Sequence, residues 1–219
     1  MQLTRIVAIR HGETAWNVDT RIQGQLDIPL NETGRWQAHR LALALAGEPM
    51  EAVYASDLWR AYDTALSVAK ASGLQVITEL GLREREFGIF QGKTFAEIEA
   101  TWPDQALRWR QRDPEYAPEG GESLLQFRAR VLAAAERLAA SHAGQQIALV
   151  AHGGVMDVLY RAATRQELQA PRTWQLGNAA INRLLWSPGG EQTGHGGFSL
   201  VGWSDTRHLD EDFLDEAAA

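Results

Sequence analysis

Ile147-Ala148-Leu149-Val150-Ala151 runs without a polar residue into His152-Gly153-Gly154. A run this short, and apolar on both alternating faces, has the pattern of a central strand buried on both sides. Two other segments share its plan. Leu3 to Ile9 (LTRIVAI) reads as a strand ending at Arg10-His11-Gly12, and Glu51 to Ala55 (EAVYA) as a shorter one ending at Ser56-Asp57, with Arg60 just beyond. Gln75 to Thr78 is a further candidate strand.

Helical patterns fill the intervals. Asn31 is placed to cap a helix running to about Ala46, with Trp36, Leu41, Leu43 and Leu45 as its apolar surface and Gly47 and Pro49 as its stop. Leu58 to Ser72 reads as a helix ended by Gly73. From Ser123 to about Ser141, Leu124, Phe127, Val131, Leu132, Ala135 and Leu138 fall on one face. Another helix is expected from about Val155, then two late strands, Ala179 to Trp186 and Phe198 to Trp203, joined as a hairpin across the Gly-rich 189–197. Strands alternating with helices imply an α/β fold, a three-layer α/β/α sandwich around a mostly parallel sheet. One domain spanning 1–219 is expected. An irregular, Trp-containing excursion at about 81–121 is a candidate lid, and the acidic tail from about 205 is expected to be flexible.

Composition narrows the function. The 219 residues are 45% hydrophobic and 22% charged, ordinary values for a globular chain. A net charge of -7 and the lack of a basic run argue against nucleic acid and against anionic membrane surfaces as partners. No apolar run approaches the ~20 residues that span a bilayer, and Met1 to Arg10 lacks the apolar core of a signal peptide. With no cysteine, thiol chemistry and disulfides are excluded, and a cytoplasmic location is expected. Homodimerisation is left open.

The polar signatures sit where strands end, the edge at which open α/β sheets bind ligands. Arg10 and Arg60 offer planar forks suited to phosphate. An imidazole attacks phosphorus if one nitrogen is held by a hydrogen bond and the other aims a lone pair. Glu84 and Glu86 are the nearest acids able to protonate a leaving oxygen. His39, His142, His195 and His208 lack such a context and read as surface or structural. No ligand-like spacing suggests a metal site.

Arg10-His11-Gly12-Glu13-Thr14 with Asn17 and Gln23-Gly24 resembles the opening signature of the histidine phosphatase (phosphoglycerate mutase-like) superfamily. Ser56-Asp57-Leu58 with Arg60, Ala61 and Thr64, then Leu82-Arg83-Glu84 with Phe87-Gly88, then Val150-Ala151-His152-Gly153-Gly154 resemble its later motifs, in the family's order. The resemblance implies a phosphoglycerate mutase-like fold. It implies His11 as the residue phosphorylated, Glu84 as general acid and then base, and His152 as the second catalytic histidine. Arg10, Asn17 and Arg60 would surround the phosphoryl oxygens beside His152, with Gln23 and Gly24 next to the substrate; no metal or other cofactor is needed. Where phosphatase members commonly carry an aromatic residue followed by Glu-Gly, this chain has Phe90-Gln91-Gly92. The function expected is hydrolysis of small phosphorylated metabolites. A 2,3-bisphosphoglycerate-dependent mutase is the alternative, with Arg85, Lys93, Arg108, Arg110 and Arg112 as additional cations. A catalytically silent phosphate-binding module is the remote one.

Overall fold

The computed structural model describes residues 2–189 and 196–210. In chain order its elements are β1 (Thr4–Arg10), α1 (Ala15–Val18), α2 (Glu32–Leu45), β2 (Ala52–Ala55), α3 (Trp59–Ala71) and β3 (Val76–Thr78). There follow α4 (Phe95–Thr101), α5 (Pro103–Arg110), α6 (Leu124–Ala140), β4 (Gln146–Ala151), α7 (Gly153–Thr164), β5 (Ile181–Ser187) and β6 (Gly197–Asp205).

The strands form one six-stranded sheet in the order β3-β2-β4-β1-β5-β6. The pairs β1–β4, β2–β4 and β2–β3 are parallel, while β1–β5 and β5–β6 are antiparallel. Every residue of β4 is buried, as its unbroken apolar run requires. Its alternate side chains divide between two cores. Ile147, Leu149 and Ala151 pack with Phe127 and Val131 of α6 and Val155 and Leu159 of α7. Ala148 and Val150 pack with Leu41 and Leu45 of α2 and Ala65 and Val68 of α3. The period of two along the strand thus builds the three layers.

Local expectations hold with three corrections. On α2 the buried face is Ala38, Leu41, Ala42 and Leu45, whereas Trp36 and Leu43 are 43% and 42% exposed. Leu43 lies two residues from both Leu41 and Leu45, which turns it to the opposite side of the helix. Helix α7 starts at Gly153, not near Val155, because a remote carboxylate serves its first turn, as described below. Residues 205–210 are not loose: β6 runs to Asp205, the following 3-10 turn Arg207–Leu209 buries His208, and Arg40 Nε of α2 donates to the His208 carbonyl at 2.8 Å. The rest of the acidic tail, most of the Gly-rich turn between β5 and β6, and His195 lie outside the described residues.

The excursion has a small core of its own. Phe90, Ile98, Ala106 and Tyr116 are buried there with Phe95, Trp102 and Trp109 against them. A reciprocal Thr94–Glu97 capping box starts α4, and Pro103 opens α5.

Candidate active site

Parallel pairing of β1 with β4 matches Arg10 with Ala151, so the two strands release their next residues side by side. The His11 N–H donates to the Ala151 carbonyl at 2.9 Å. The rings of His11 and His152 stand 5.2 Å apart between centroids, inclined at 61°. Residues separated by most of the chain therefore meet at the carboxyl edge of the sheet, between its two central strands.

His11 is almost wholly buried, and its Nδ1 lies 2.6 Å from the Gly12 carbonyl oxygen. A carbonyl only accepts, so Nδ1 carries the proton and Nε2 keeps its lone pair. Burial, then the charges of Arg60 and Arg10, hold the His11 pKa well below the usual imidazole range. The ring is neutral and its free nitrogen nucleophilic. His152 is depressed in the same way by burial, Arg60, His11 and Arg10. Neither of its ring nitrogens has a hydrogen-bond partner among the described residues.

Two cations border the pair, Arg60 buried and Arg10 half-buried. Arg60, in the first turn of α3, donates to the carbonyls of Gly24 at 2.7 Å and Leu26 at 2.9 Å, while its Nε has no partner among the described residues. Burial lowers its pKa to about 10, which leaves it charged at neutral pH. Arg10 donates through Nη1 to the Leu176 carbonyl, and its buried Nε is also unpartnered. Gly24 adopts φ +53°, and a Cβ there would meet the Gln91 side chain at 2.0 Å. The Gln91 side chain fills that space, and its Oε1 accepts from Gln25 N–H at 2.7 Å. Residue 91 thus packs against the loop that carries Gly24.

Glu84 reaches the site from the excursion's start. One carboxylate oxygen accepts from the Arg85 N–H at 2.8 Å and the other from the Gly154 N–H at 3.0 Å. His152 provides no side-chain cap for α7, so Glu84 satisfies an orphan donor of that first turn. A similar remote cap serves α3, where Asp27 Oδ1 accepts from Trp59 N–H at 2.7 Å. Asp57 grips Arg83 through two hydrogen bonds of 2.7 and 2.5 Å. It thereby steadies the residue before Glu84 rather than binding phosphate. Glu86 does not line the cavity that Glu84 enters, and its backbone is paired to Glu122.

Asn17 closes a reciprocal cap with Thr14, and its Oδ1 also accepts from Asn178 Nδ2 at 3.3 Å. These contacts use the amide oxygen and leave Nδ2 for the cleft. A cavity of about 180 Å³ is lined by Arg10, His11, Asn17, Gln23, Gly24, Arg60 and Glu84 together. His152 stands behind it against His11, and the cavity also touches Arg21, Ile22, Phe87 and Gly153.

Three residues escaped the sequence reading. Asn178 donates to the His11 carbonyl at 3.0 Å. Arg130 of α6 pairs with Glu122 at 2.8 Å and donates to the carbonyls of Gly81, Arg83 and Glu84. Arg172 borders two cavities that adjoin the first. Arg130 lies beside the α6 core face; Asn178 and Arg172 are in a segment without helical or strand period, so no pattern marked them. The additional cations weighed for a mutase are engaged elsewhere: Arg108 with Asp113, Arg110 with Glu99, Arg112 with Asp157, and Lys93 over the Trp102 ring. Arg85 donates to the carbonyls of Glu122 and Tyr116. Trp109 lines an adjoining cavity, while Trp102 packs on Phe90. Among the described residues no group of three or more His, Asp or Glu is arranged to hold a metal, and no helix is long and apolar enough to cross a membrane.

Known proteins resemble this chain over most of its length. A glucosyl-3-phosphoglycerate phosphatase of Mycobacterium tuberculosis is 38% identical over 202 residues, 87% of this chain and 90% of that one. A metal-independent phosphoserine phosphatase of Arabidopsis thaliana is 39% identical over 212 residues, 95% of this chain and 84% of the relative. A solved structure of a mycobacterial glucosyl-3-phosphoglycerate phosphatase superposes with a TM-score of 0.83 at 36% identity, covering 94% of this chain and all of that one. A Photorhabdus laumondii protein named as a probable phosphoglycerate mutase matches at 30% identity over 98% of this chain and 99% of its own. The profile of the histidine phosphatase superfamily (branch 1) matches residues 6–198, and this chain belongs to that family.

Proposed function

We propose that this chain is a phosphomonoesterase that hydrolyses small phosphorylated metabolites through a phosphohistidine on His11. The observation that carries the reading is the fixed Nδ1–H of His11, which aims a neutral Nε2 beside Arg10, Arg60 and His152. Phosphoryl transfer depends mostly on such positioning and charge stabilisation.

In this mechanism the phosphoryl oxygens lie between Arg10, Arg60, His152 and the Asn17 amide, with Gln23 and Gly24 against the substrate. His11 Nε2 attacks phosphorus in line. The bond to the ester oxygen breaks, and Glu84 delivers its proton to that oxygen. The departing alcohol leaves Glu84 as a carboxylate, which takes a proton from water as the water attacks the phosphohistidine. Inorganic phosphate departs and Glu84 is protonated again. The guanidiniums stabilise charge on the transferring group. The arriving dianion also favours a protonated His152, whose ring nitrogens have no other partner.

The relatives named for phosphatase activity on glucosyl-3-phosphoglycerate and phosphoserine support hydrolysis over mutase chemistry. So does the engagement of Arg108, Arg110 and Lys93 outside the cavity. In this reading the chain acts as one domain in the cytoplasm, without metal or cofactor, on small molecules rather than nucleic acid or membrane. The test is inorganic phosphate release from a panel of phosphate esters, set against mutase turnover of 3-phosphoglycerate with and without 2,3-bisphosphoglycerate. Hydrolysis at wild-type rates by His11→Ala would overturn the proposal.

A further inference from the structure

Beyond the phosphoryl cavity lie two larger ones, of about 270 and 530 Å³. The three adjoin one another across shared lining residues. The phosphoryl cavity shares Glu84 and Phe87 with the first and Arg10 and Gly153 with the second. The two outer cavities share Gly154 and Arg172 with each other. An alcohol leaving from Glu84 therefore has room on the side where Arg172 stands.

The walls there differ in chemistry. The smaller outer cavity is built from Phe87, Trp109, Leu124, Phe127, Val158 and Leu168, an apolar surface with more than one ring. Its charged residues are mostly matched. Arg112 pairs with Asp157 at 2.8 Å and donates to the Leu168 carbonyl, and Arg85 is held by backbone carbonyls. Arg172 differs: it is exposed and makes no ion pair or side-chain hydrogen bond among the described residues. Its charge also acts on Arg10, lowering the Arg10 pKa, which sets it near the phosphoryl site. A cation with no partner among the described residues, at the junction of two cavities that share lining residues with the one holding His11, is placed to meet an anion on the substrate.

We infer that Arg172 is a specificity-determining residue that binds an anionic group, a carboxylate in the first instance, on the alcohol portion of the substrate, while the adjoining apolar wall takes that alcohol's hydrocarbon body. The preferred substrates are then phosphate monoesters whose alcohol carries both apolar surface and a second negative charge. The inference rests on the phosphatase reading and deepens it by naming the substrate class.

The test uses two aryl phosphates that differ only in a para carboxylate or carboxamide, so that both fill the apolar wall and one carries charge. A charge-assisted contact predicts that wild-type enzyme prefers the carboxylate about tenfold in kcat/KM. In Arg172→Gln the preference should vanish through KM for the charged substrate, while kcat/KM for the carboxamide, which meets the Arg172 charge only through its phosphate, falls by less. Arg172→Lys should restore part of the preference, and added salt should erode it in the wild type. A merely structural role would move both substrates together. Equal wild-type rates on the two compounds, or a preference that survives Arg172→Gln, would overturn the inference while leaving hydrolysis intact. Failure of wild-type enzyme to release phosphate from either compound, or from any other ester tried, would instead remove the phosphatase reading and this inference with it.

Discussion

The Glu84 carboxylate accepts from the backbone N–H of Gly154 at 3.0 Å, two residues after His152. The acid from the excursion and the histidine from the central strand are thus locked to one another through the first turn of α7. That contact joins helix capping to the proposed chemistry, since one hydrogen bond both satisfies the helix start and orients the carboxylate proposed as proton donor.

Gly154→Ala tests the lock. A Cβ there would lie 2.2 Å from Glu84 Oε1 and 3.0 Å from a Phe127 ring carbon. The carboxylate is the flexible partner, and alanine favours a helix more than glycine does. The variant is expected to stay folded, with Tm little changed, and to lose about tenfold or more in kcat on an alkyl phosphate. Unchanged kcat would mean that the carboxylate's position is unimportant.

Glu84→Gln should lower turnover of alkyl phosphates by the ~10²–10⁴-fold that acid–base assistance contributes. With an activated aryl phosphate, whose leaving oxygen needs little protonation, the first step should be much less affected. Burst kinetics on the aryl substrate measure this directly, since slow dephosphorylation would then expose a stoichiometric burst.

Arg130 holds the Glu84 segment from below, through Glu122 and three carbonyls. Arg130→Met removes those bonds and leaves the half-buried Glu122 without its charge partner. Urea unfolding should register a loss of about 2 kcal/mol, and kinetics a fall in kcat larger than any rise in KM. Equal effects on all substrates, including activated ones, would argue for a global rather than an acid-positioning role.

The layers of the fold were legible because β4 is apolar on both faces and α6 keeps a clean helical stripe, so burial decided both. The meeting of Arg10, His11, Arg60 and His152, the groups proposed to hold phosphate, was legible because they sit at strand ends or one turn into a helix. What could not be read was the contribution of remote partners. Leu58 and His152 provide no side-chain cap for their helices, and nothing local predicts that Asp27 and Glu84 do so from distant loops. Arg130, Asn178 and Arg172 act through tertiary contacts or open position, which leave no periodic trace. Trp36 and Leu43 misled because hydrophobic identity was weighed ahead of their angular position on α2.

Stability should fall as pH drops below about 7. His11 and His152 are held neutral in the fold, their pKa values well below the usual range. Unfolded imidazoles take up protons below about pH 6.5, so the unfolded state binds more protons there and gains stability as pH falls. The two groups together predict a loss of about 2–3 kcal/mol between pH 7.5 and 5.5. Carboxylates with lowered pKa, such as Asp57 and Asp205, remain ionised in the fold over this window and contribute little to the slope. Urea titrations at several pH values should show the decline. His152→Asn should remove part of it, with buried His208 also contributing to the slope, and saturating inorganic phosphate should reduce it.

Rapid quenching of enzyme with a ³²P-labelled phosphate ester tests the central claim most directly. The account predicts stoichiometric label on His11, stable in alkali, lost in acid, and absent from His11→Ala. Label on another residue, or undiminished hydrolysis by His11→Ala, would contradict it.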